Sequence, residues 1–414
     1  MVNESTRTSV PGQRTPSDPL VGTDPDPRGR QDGLGWVTRA IFGDPRLRVT
    51  VGDDPAATVR YAVIPSLDHA RFLLPLASRK VTAASLLAYN ALRPPKVRAG
   101  RAAVGLLARV GALGLTRAPV LSVHAPEREL LLSSFLADQL GQAELHAAIG
   151  IRPPDPHHKP TLQLFDADGR PRGYAKIGWN DGTRAMVRAE AATLTELPAG
   201  NGFPPAPRLI LHTRWNGREI AVIEPMPRRV RRISKPDTPR LDAMLAVARW
   251  GSPATAAQPV TALLAGWRAR AEGADPRIHA VIDKLDPELT LEFGHWHGDW
   301  VPWNMARHQG GLLVWDWENS APGVPIGFDL AHQAFQTTLS TRGRPAAECA
   351  AAVDEALRRH GAALGLADPV RQRFVADAYL VELWLRTYEL SGGGAGWNPK
   401  LHPALLDILG ERLP

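Results

Sequence analysis

His295-Trp-His-Gly-Asp-Trp-Val-Pro-Trp-Asn-Met-Ala-Arg-His-Gln-Gly-Gly-Leu-Leu-Val-Trp-Asp-Trp-Glu318 is a largely apolar stretch with a few polar side chains at definite positions. Three of these side chains carry oxygen atoms that could act on a ligand: Asp299, Asn304 and Asp316. The rest of the chain is best understood by its position relative to these three residues.

The second half of this stretch has the pattern of a β-hairpin. It consists of a short strand, a glycine-containing turn and a returning strand, at residues 304–307, 308–311 and 312–315. A hairpin folded about Gly310 would place Asn304 roughly opposite Asp316 at its open end. Asp299 would then lie in the loop before the first strand. We therefore expect the three side chains to meet at one mouth.

Such a mouth suits phosphoryl transfer. A hard cation such as Mg²⁺ prefers oxygen ligands, which an Asp and an Asn supply. A second Asp, free of the metal, can accept the proton of an attacking hydroxyl group. Asp299 precedes Asn304 by five residues, the spacing found between the corresponding Asp and Asn of the protein-kinase catalytic loop.

Two segments resemble the aminoglycoside phosphotransferase and choline kinase superfamily, the kinase-like small-molecule phosphotransferases. Residues 297–304 are His-Gly-Asp, four residues and Asn, and residues 312–318 are an apolar strand ending in Asp-Trp-Glu. The resemblance implies an α+β, bilobal protein-kinase-like fold that uses ATP and Mg²⁺. It also implies that Asp299 is the catalytic base and that Asn304 and Asp316 are metal ligands.

The small-molecule branch of kinases is favoured over protein kinases. Gly298 stands where protein kinases have Arg, and Trp317-Glu318 stands where they have Phe-Gly. No Ala-Pro-Glu follows, so the peptide-docking segment of a protein kinase is missing from the sequence.

A run of predicted antiparallel strands precedes the hairpin, at residues 144–149, 161–165, 173–178, 208–212 and 219–223. Lys176 lies in the third of them. Helical spacing over residues 185–197 places Glu190 on the same stripe as Met186 and Leu194, so its carboxylate needs a cationic partner. We expect Lys176 to be that partner, as in the Lys–Glu pair with which kinases hold the nucleotide phosphates.

The nucleotide-binding residues are harder to assign. Glu224-Pro-Met-Pro227 is interpreted as the linker between the lobes. In the resembled family this linker binds adenine through its backbone, which implies Glu224 and Met226. The loop over residues 150–160 has no Gly-x-Gly-x-x-Gly motif, and we expect His157, His158 and Lys159 in it to be exposed rather than bound to phosphate.

Four regions are predicted along the chain. Residues 1–40, rich in Pro, Gly and polar side chains, are expected to be a disordered tail. Residues 41–140 form either a separate module or an elaboration of the kinase, with helices near 80–92, 98–113 and 127–140. Residues 141–226 form the sheet lobe. Residues 227–414 form a helical lobe, with helices expected at 241–250, 258–272, 276–284, 328–340, 345–363 and 369–391.

Composition restricts the class of protein. A single cysteine, Cys349, excludes an internal disulfide and a Cys-rich zinc site. No apolar signal region or membrane span is apparent, so we expect a cytoplasmic protein. The segment Arg60–Arg117 is strongly basic, but no nucleic-acid-binding signature accompanies it, and a solvated basic surface is the simpler interpretation.

Several residues near the motif have supporting roles in this interpretation. Asp329 is expected to cap a helix and brace the catalytic loop, and His297 to brace the same loop. Glu318 is expected near a metal-bound water or a substrate amine. The indoles of the site form a wall for substrate or pack the loop onto the helical lobe, and both alternatives stand for Trp300, Trp303 and Trp317.

The sequence thus predicts an ATP- and Mg²⁺-dependent phosphotransferase acting on a hydroxyl group of a small molecule such as an aminoglycoside, an amino alcohol or a sugar. No specific nucleic acid partner is expected. The alternative is a nucleotide-binding pseudokinase or scaffold whose N-terminal region carries the function. The complete set of polar residues argues against that alternative: Lys176, Glu190, Asp299, Asn304 and Asp316.

Overall fold

The computed structural model describes residues 26–88, 92–153, 157–200, 202–227, 229–233, 238–251, 257–391 and 401–413. Its helices are α1 Gly33–Phe42, α2 Arg79–Leu87, α3 Pro95–Arg109, α4 Leu132–Gln139, α5 Asp181–Glu196, α6 Leu241–Ala248, α7 Thr261–Arg270, α8 Pro276–Asp283, α9 Phe328–Gln336, α10 Ala346–His360, α11 Pro369–Leu390 and α12 His402–Arg412. Its strands are β1 Arg48–Val51, β2 Val59–Ile64, β3 Phe72–Pro75, β4 Val120–His124, β5 His146–Gly150, β6 Thr161–Phe165, β7 Pro171–Gly178, β8 Leu209–Trp215, β9 Arg218–Ile223, β10 Arg231–Arg232, β11 Gln258–Pro259, β12 Thr290–Leu291, β13 Phe293–Trp296, β14 Met305–His308, β15 Gly311–Val314 and β16 Ala321–Pro325.

An antiparallel sheet dominates the first lobe. Its nine strands follow the order β1-β4-β2-β3-β5-β6-β7-β9-β8. The five predicted strands are β5 to β9, and α5 packs against β7, β8 and β9. The second lobe is mainly helical, so the predicted α+β class with a sheet lobe and a helical lobe is confirmed.

The N-terminal strands continue the sheet of the first lobe. β3 pairs with β5, the first of the five predicted strands, through Phe72 and Gly150 and through Leu73 and Ile149. One apolar core crosses that junction, because Leu73 and Val123 are buried in the same cluster as Ile177. The strands of this region therefore belong to the same sheet as β5 to β9, and its assignment as a module or as an elaboration of the kinase stays a prediction. The boundaries proposed at residues 140 and 226 stay predictions.

The predicted disordered tail is partly wrong. Residues 33–40 belong to α1, which begins where the Asp32 side chain accepts a hydrogen bond from the N–H of Gly35. Leu34, Val37 and Ile41 of this helix are almost fully buried against the sheet. The amphipathic helix α1 thus lies at the end of a segment whose average composition is polar. Residues 1–25 lie outside the described residues.

Two elements between residues 65 and 125 were not predicted. β3 is only four residues long, and β4 follows a basic helical segment in which no strand pattern stood out. β3 pairs with its sequence neighbour β2 and with the distant β5, and β4 pairs with the distant β1 and β2. Local pattern carries little information about such strands. At the other end of the chain, α12 was also missed.

The helical lobe is built around α11, which is buried over residues 374–385. α9 and α10 pack on one another and on α11, and α12 packs against α8, α10 and α11. These helices and the loops of the catalytic segment share one apolar core, with Trp300 and Trp317 completely buried in it. None of the described helices is long and apolar enough to span a membrane.

Candidate active site

The loop that carries Asp299 is fixed by its backbone. Gly298 has φ +78°, and a Cβ atom there would lie 2.1 Å from the carbonyl oxygen of Asn319, so only glycine fits. The carboxylate of Asp329 accepts hydrogen bonds from the N–H groups of His297 (2.8 Å) and Gly298 (3.1 Å). Arg386 of α11 donates a hydrogen bond to the carbonyl oxygen of Gly298. The loop is therefore anchored to both α9 and α11.

The predicted role of Asp329 is half right. It braces the catalytic loop as expected, but it does not cap α9. The N-cap position is Gly327, and Asp329 lies inside the first turn with its side chain directed to the loop. Burial raises the pKa of Asp329 to about 7, against the opposing effect of the two N–H donors.

His297 also supports the loop. Its Nδ1 atom accepts a hydrogen bond from the N–H of Asp299 (3.1 Å), and its Nε2 atom lies 3.1 Å from the carbonyl oxygen of Trp315. These partners require a neutral ring with the proton on Nε2. Burial lowers the pKa of His297 to about 4, in agreement with a neutral ring. His297 thus connects the catalytic loop to the hairpin.

Both carboxylate oxygens of Asp299 have a partner. The side-chain amide of Asn304 donates to Oδ2 (2.7 Å), and Nε2 of His332 lies 3.0 Å from Oδ1. Nδ1 of His332 in turn lies 3.1 Å from the hydroxyl of Tyr379. We call these four residues, Asp299, Asn304, His332 and Tyr379, the base pocket.

The base pocket keeps Asp299 ionised. Burial alone would raise the pKa of this carboxyl, but the hydrogen bond of His332 and the charge of Arg386 outweigh burial and lower the pKa to about 2. His332 is fully buried, which lowers its own pKa. A neutral His332 ring can donate to the Asp299 carboxylate while its other nitrogen accepts from the Tyr379 hydroxyl. Each of these three side chains then has a hydrogen-bond partner.

The hairpin forms close to its predicted position. β14 and β15 pair from Met305 with Val314 to His308 with Gly311, and the turn residues Gln309 and Gly310 both have positive φ. Asn304 belongs to a short 3-10 turn before β14 rather than to the strand itself. Its carbonyl accepts from Trp315, the residue before Asp316.

Lys176 lies at the centre of a buried group of charges. Its ammonium contacts both carboxylate oxygens of Glu190 (2.5 and 2.7 Å) and also contacts Asp316. The Lys176 and Glu190 side chains are 7% and 1% exposed. Burial by itself would lower the pKa of Lys176, but the carboxylates of Asp316 and Glu190 raise it above its usual value. The predicted ion pair is present, and its role toward a nucleotide stays a prediction.

Glu318 extends this group of charges toward the loop before β6. Its Oε1 atom accepts a hydrogen bond from Lys159 (2.7 Å), and its Oε2 atom lies 3.9 Å from Lys176. Burial would raise the pKa of Glu318, but the two lysines lower it to about 2. We call the five residues the lysine cluster: Lys159, Lys176, Glu190, Asp316 and Glu318.

The expectation that Lys159 is exposed is therefore wrong. Its side chain is only 10% exposed, because it reaches Glu318 across 159 positions of sequence. His157 and His158 are half-buried, and the carbonyl of His158 accepts a hydrogen bond from the indole of Trp179 (3.0 Å).

The three indoles have different surroundings. Trp300 and Trp317 are fully buried, and the Trp317 ring lies 4.5 Å from that of His297. For these two the packing alternative is the correct one. Trp303 is 47% exposed, so of the three it alone offers a large free surface to a substrate.

The linker residues lie at the end of β9. The N–H of Glu224 donates to the carbonyl of Arg208 (2.9 Å), and the Glu224 side chain pairs with the Arg208 guanidinium. Met226 packs against a small apolar cluster that includes Ala306 and Leu313. Pro225 and Pro227 have no N–H group, which leaves Met226 as the one donor at the centre of the linker.

Three functional candidates escaped the sequence analysis: His332, Tyr379 and Arg386. His332 follows Asp329 by three residues, so both lie on one face of α9, and that spacing was a usable signal. Tyr379 and Arg386 lie on α11, far along the chain, and no local pattern associates them with Asp299.

The donor set around Asp316 fits a hard divalent cation. Glu190, Asp316 and Glu318 each offer an oxygen atom within 4.8 Å of the others. Carboxylate and amide oxygens are the ligands that Mg²⁺ prefers. The nitrogen of the Asn304 amide is already bound to Asp299, so its oxygen is the atom left for a metal.

Structural comparison found kinases and phosphotransferases of low sequence identity. Aminoglycoside phosphotransferase APH(4)-Ia, as a thermostable mutant with ADP and hygromycin B, shares 13% identity over 68% of this chain and 97% of its own, with a TM-score of 0.41. A putative fructosamine-3-kinase from Haemophilus somnus 129PT shares 13% over 68% and 97%, with a TM-score of 0.43. ADP-bound APH(2'')-Ib shares 12% over 68% and 95%, with a TM-score of 0.39.

A search of curated protein sequences found no match to this chain. A family model does match, and it is described as the phosphotransferase enzyme family. The match covers residues 228–371, which include the catalytic loop, the hairpin and α9. The sequence motifs, the bilobal fold and this model agree, and the predicted resemblance to the kinase-like small-molecule phosphotransferases is confirmed.

Proposed function

We propose that this protein transfers the terminal phosphoryl group of ATP, with Mg²⁺, to a hydroxyl group of a small molecule. The observation that carries the proposal is the contact between Lys176 and Asp316, which are 140 positions apart. It brings the Lys–Glu pair of the sheet lobe onto the residue that ends the catalytic hairpin. Phosphoryl transfer needs these two parts side by side, because one holds the phosphates and the other holds the metal.

In this proposal the base pocket accepts the proton of the substrate hydroxyl. Asp299 is ionised at neutral pH and is oriented by Asn304 and His332. A carboxylate with so low a pKa is a weak base, so it acts by orienting the hydroxyl and taking its proton late, as the bond to phosphorus forms.

The lysine cluster then holds the nucleotide. Lys176 turns from Asp316 to the phosphates while Glu190 keeps it in place. Asn304 and Asp316 would hold Mg²⁺, which when bound neutralises charge on the phosphates. At the linker, the carbonyl of Glu224 and the N–H of Met226 supply the acceptor and donor for the adenine edge.

The test is turnover of ATP by the purified protein against a collection of hydroxyl-bearing metabolites and antibiotics, with and without Mg²⁺. We expect a substrate-dependent release of ADP that disappears when EDTA removes the metal and returns when Mg²⁺ is added. A chain that binds ATP with Mg²⁺ but turns over none of the compounds would favour the pseudokinase alternative. A chain that does not bind ATP would overturn the proposal.

The acceptor is proposed only as a small hydroxyl compound. The exposed Trp303 indole beside the catalytic loop suits a cation or the apolar face of a ring. Aminoglycosides, amino alcohols and sugars all meet that description, and the turnover screen separates them.

A further inference from the structure

Lys159 is a buried cation to which no role has been assigned above. It ends the loop that precedes β6, two residues before Thr161. Thr161 pairs directly with Lys176 of β7. Lys159 itself lies before the strand, in the loop at that end of β6. Both ammonium groups reach the turn that holds Asp316 and Glu318.

The backbone on either side of Lys159 is fixed. The carbonyl of His158 accepts from the Trp179 indole (3.0 Å), and the carbonyl of Pro160 accepts from the N–H of Ile177 (3.0 Å). The Thr161 hydroxyl donates to the carbonyl of Lys159 itself (3.2 Å). The backbone of Lys159 is therefore held in place, and only its four-carbon side chain needs to move for the ammonium to change partner.

Glu318, the partner of Lys159, could accept a further hydrogen bond. Glu318 is 9% exposed, and its Oε2 atom is buried without a hydrogen bond to any described residue. The five charges of the lysine cluster are three carboxylates and two ammonium groups. A buried ammonium requires a counter-charge at all times. Glu318 provides one when no phosphate is present.

We propose that Lys159 is a second phosphate-binding lysine, which exchanges its pairing with Glu318 for a contact with the terminal phosphate when the nucleotide binds. This inference rests on the proposed function, and it gives the loop before β6 a specific contact in place of the missing glycine motif. Glu318 acts as the counter-ion that keeps the lysine buried between catalytic cycles.

The alternative is a purely structural ion pair that fastens the loop of the sheet lobe to the helical lobe. The two possibilities differ in what each partner does. If the pair is purely structural, removing either partner should weaken nucleotide binding equally. If Lys159 binds phosphate, only the removal of Lys159 should weaken binding, because Glu318 takes no part in the contact with phosphate.

The experiment compares Lys159→Met and Glu318→Gln by calorimetric titration with two probes in Mg²⁺: ADP and a non-hydrolysable imido analogue of ATP. We expect Lys159→Met to weaken binding of the triphosphate analogue by about 10- to 100-fold, the usual effect of losing a charge-assisted contact. Binding of ADP should change little. Glu318→Gln keeps an amide oxygen beside Asp316 and removes the charge that competes for Lys159, so this variant should bind the analogue at least as tightly as the wild type.

Lys80→Met is the matched control. Lys80 also pairs with a carboxylate, that of Asp168 at 3.2 Å, but on the exposed surface of the sheet lobe, and its loss should affect neither probe. Thermal melting of each variant checks that it is folded.

Three results would overturn the inference. Equal losses in Lys159→Met and Glu318→Gln would identify a structural pair. A Lys159→Met variant that binds the analogue as tightly as the wild type would show that Lys159 does not touch phosphate. A wild-type protein that binds neither probe would remove the proposed function itself, and with it this inference.

Discussion

The base pocket and the lysine cluster hold acidic residues in opposite ways. Asp299 is surrounded by neutral donors, the amide of Asn304 and the imidazole of His332, which are fixed by neighbours of their own. Asp316 and Glu318 face the charged ammonium groups of Lys176 and Lys159. The first arrangement orients one carboxylate and does not need to change during a reaction. The second is held together by charges that an incoming phosphate would redistribute.

Our predictions use this contrast. Changes at Asp299 and His332 of the base pocket should alter the rate of transfer and leave nucleotide binding intact. Changes in the lysine cluster should alter nucleotide binding first.

The largest expected effect is that of Asp299→Asn. Removing the proposed base while keeping its shape should lower kcat by about 10²- to 10⁴-fold, the range usual for general bases. The dissociation constant for ATP with Mg²⁺ should stay near the wild-type value, because Asp299 contacts no residue of the lysine cluster in the described structure. Steady-state kinetics and calorimetry measure the two quantities. Asp138→Asn, at an exposed position of α4, is the control. A loss below 10-fold would exclude Asp299 as the base.

A second prediction concerns the loop that supports the base. Gly298 and Gly310 have similar φ values, +78° and +84°. Of the two, only at Gly298 would an added Cβ atom meet other backbone atoms. Alanine at Gly310 should cost about 1–2 kcal/mol of unfolding free energy, for the left-handed backbone alone. Alanine at Gly298 should cost about 3 kcal/mol or more, because a clash with the Asn319 carbonyl is added. Denaturant titration gives both values. Equal costs would show that the loop tolerates displacement.

The third prediction concerns the lysine cluster. Glu190→Gln keeps the shape of the side chain and removes the charge next to Lys176, so we expect about a 10-fold loss of ATP affinity, equivalent to the loss of one charged contact. Glu219→Gln is a matched control, because Glu219 is also a buried glutamate of the sheet lobe and pairs with Arg188 and Arg214. Both variants should lose stability, and only Glu190→Gln should lose affinity. If Glu190→Gln and Glu219→Gln bound ATP with equal affinity, the charge of Glu190 next to Lys176 would have no part in nucleotide binding.

How far the sequence predicts this structure depends on the range of the interactions involved. The hairpin and helices α6 to α11 follow from patterns within about 20 residues, and they form within a few residues of their predicted limits. β3 and α1 were missed because each is short and is stabilised by the distant strands of the sheet. Periodicity in one segment contains no information about such partners.

The same rule applies to the site. Lys176 and Glu190 were paired from sequence for two reasons. Helical spacing placed the Glu190 carboxylate on the buried face, and the Lys–Glu pair of kinases indicated Lys176 as its partner. Lys159 was wrongly expected to be exposed because its partner, Glu318, lies in the other lobe. His332 was missed although its spacing from Asp329 was visible, because the spacing shows a shared face and not what that face contacts.

The smallest expected effect tests what His332 contributes. His332→Leu removes the hydrogen bond that lowers the pKa of Asp299, so burial acts with less opposition and the pKa of Asp299 rises. In the wild type this pKa is about 2, so Asp299 stays ionised as the pH falls from 8 to 5 and its protonation should not limit kcat in that range. In the variant the carboxyl is protonated at a higher pH, so activity should be lost earlier on acidification.

His332→Gln separates this effect from simple packing. Its amide can still donate to Asp299, so its pH profile should stay close to that of the wild type, whereas a role in packing alone would leave both variants with an unshifted profile. At neutral pH we expect only a severalfold loss of kcat in His332→Leu, because Asn304 still holds the other oxygen of Asp299. A profile of kcat against pH for the three proteins decides the point. An acid limb at the same pH in all three would show that His332 fills space beside the base without tuning it.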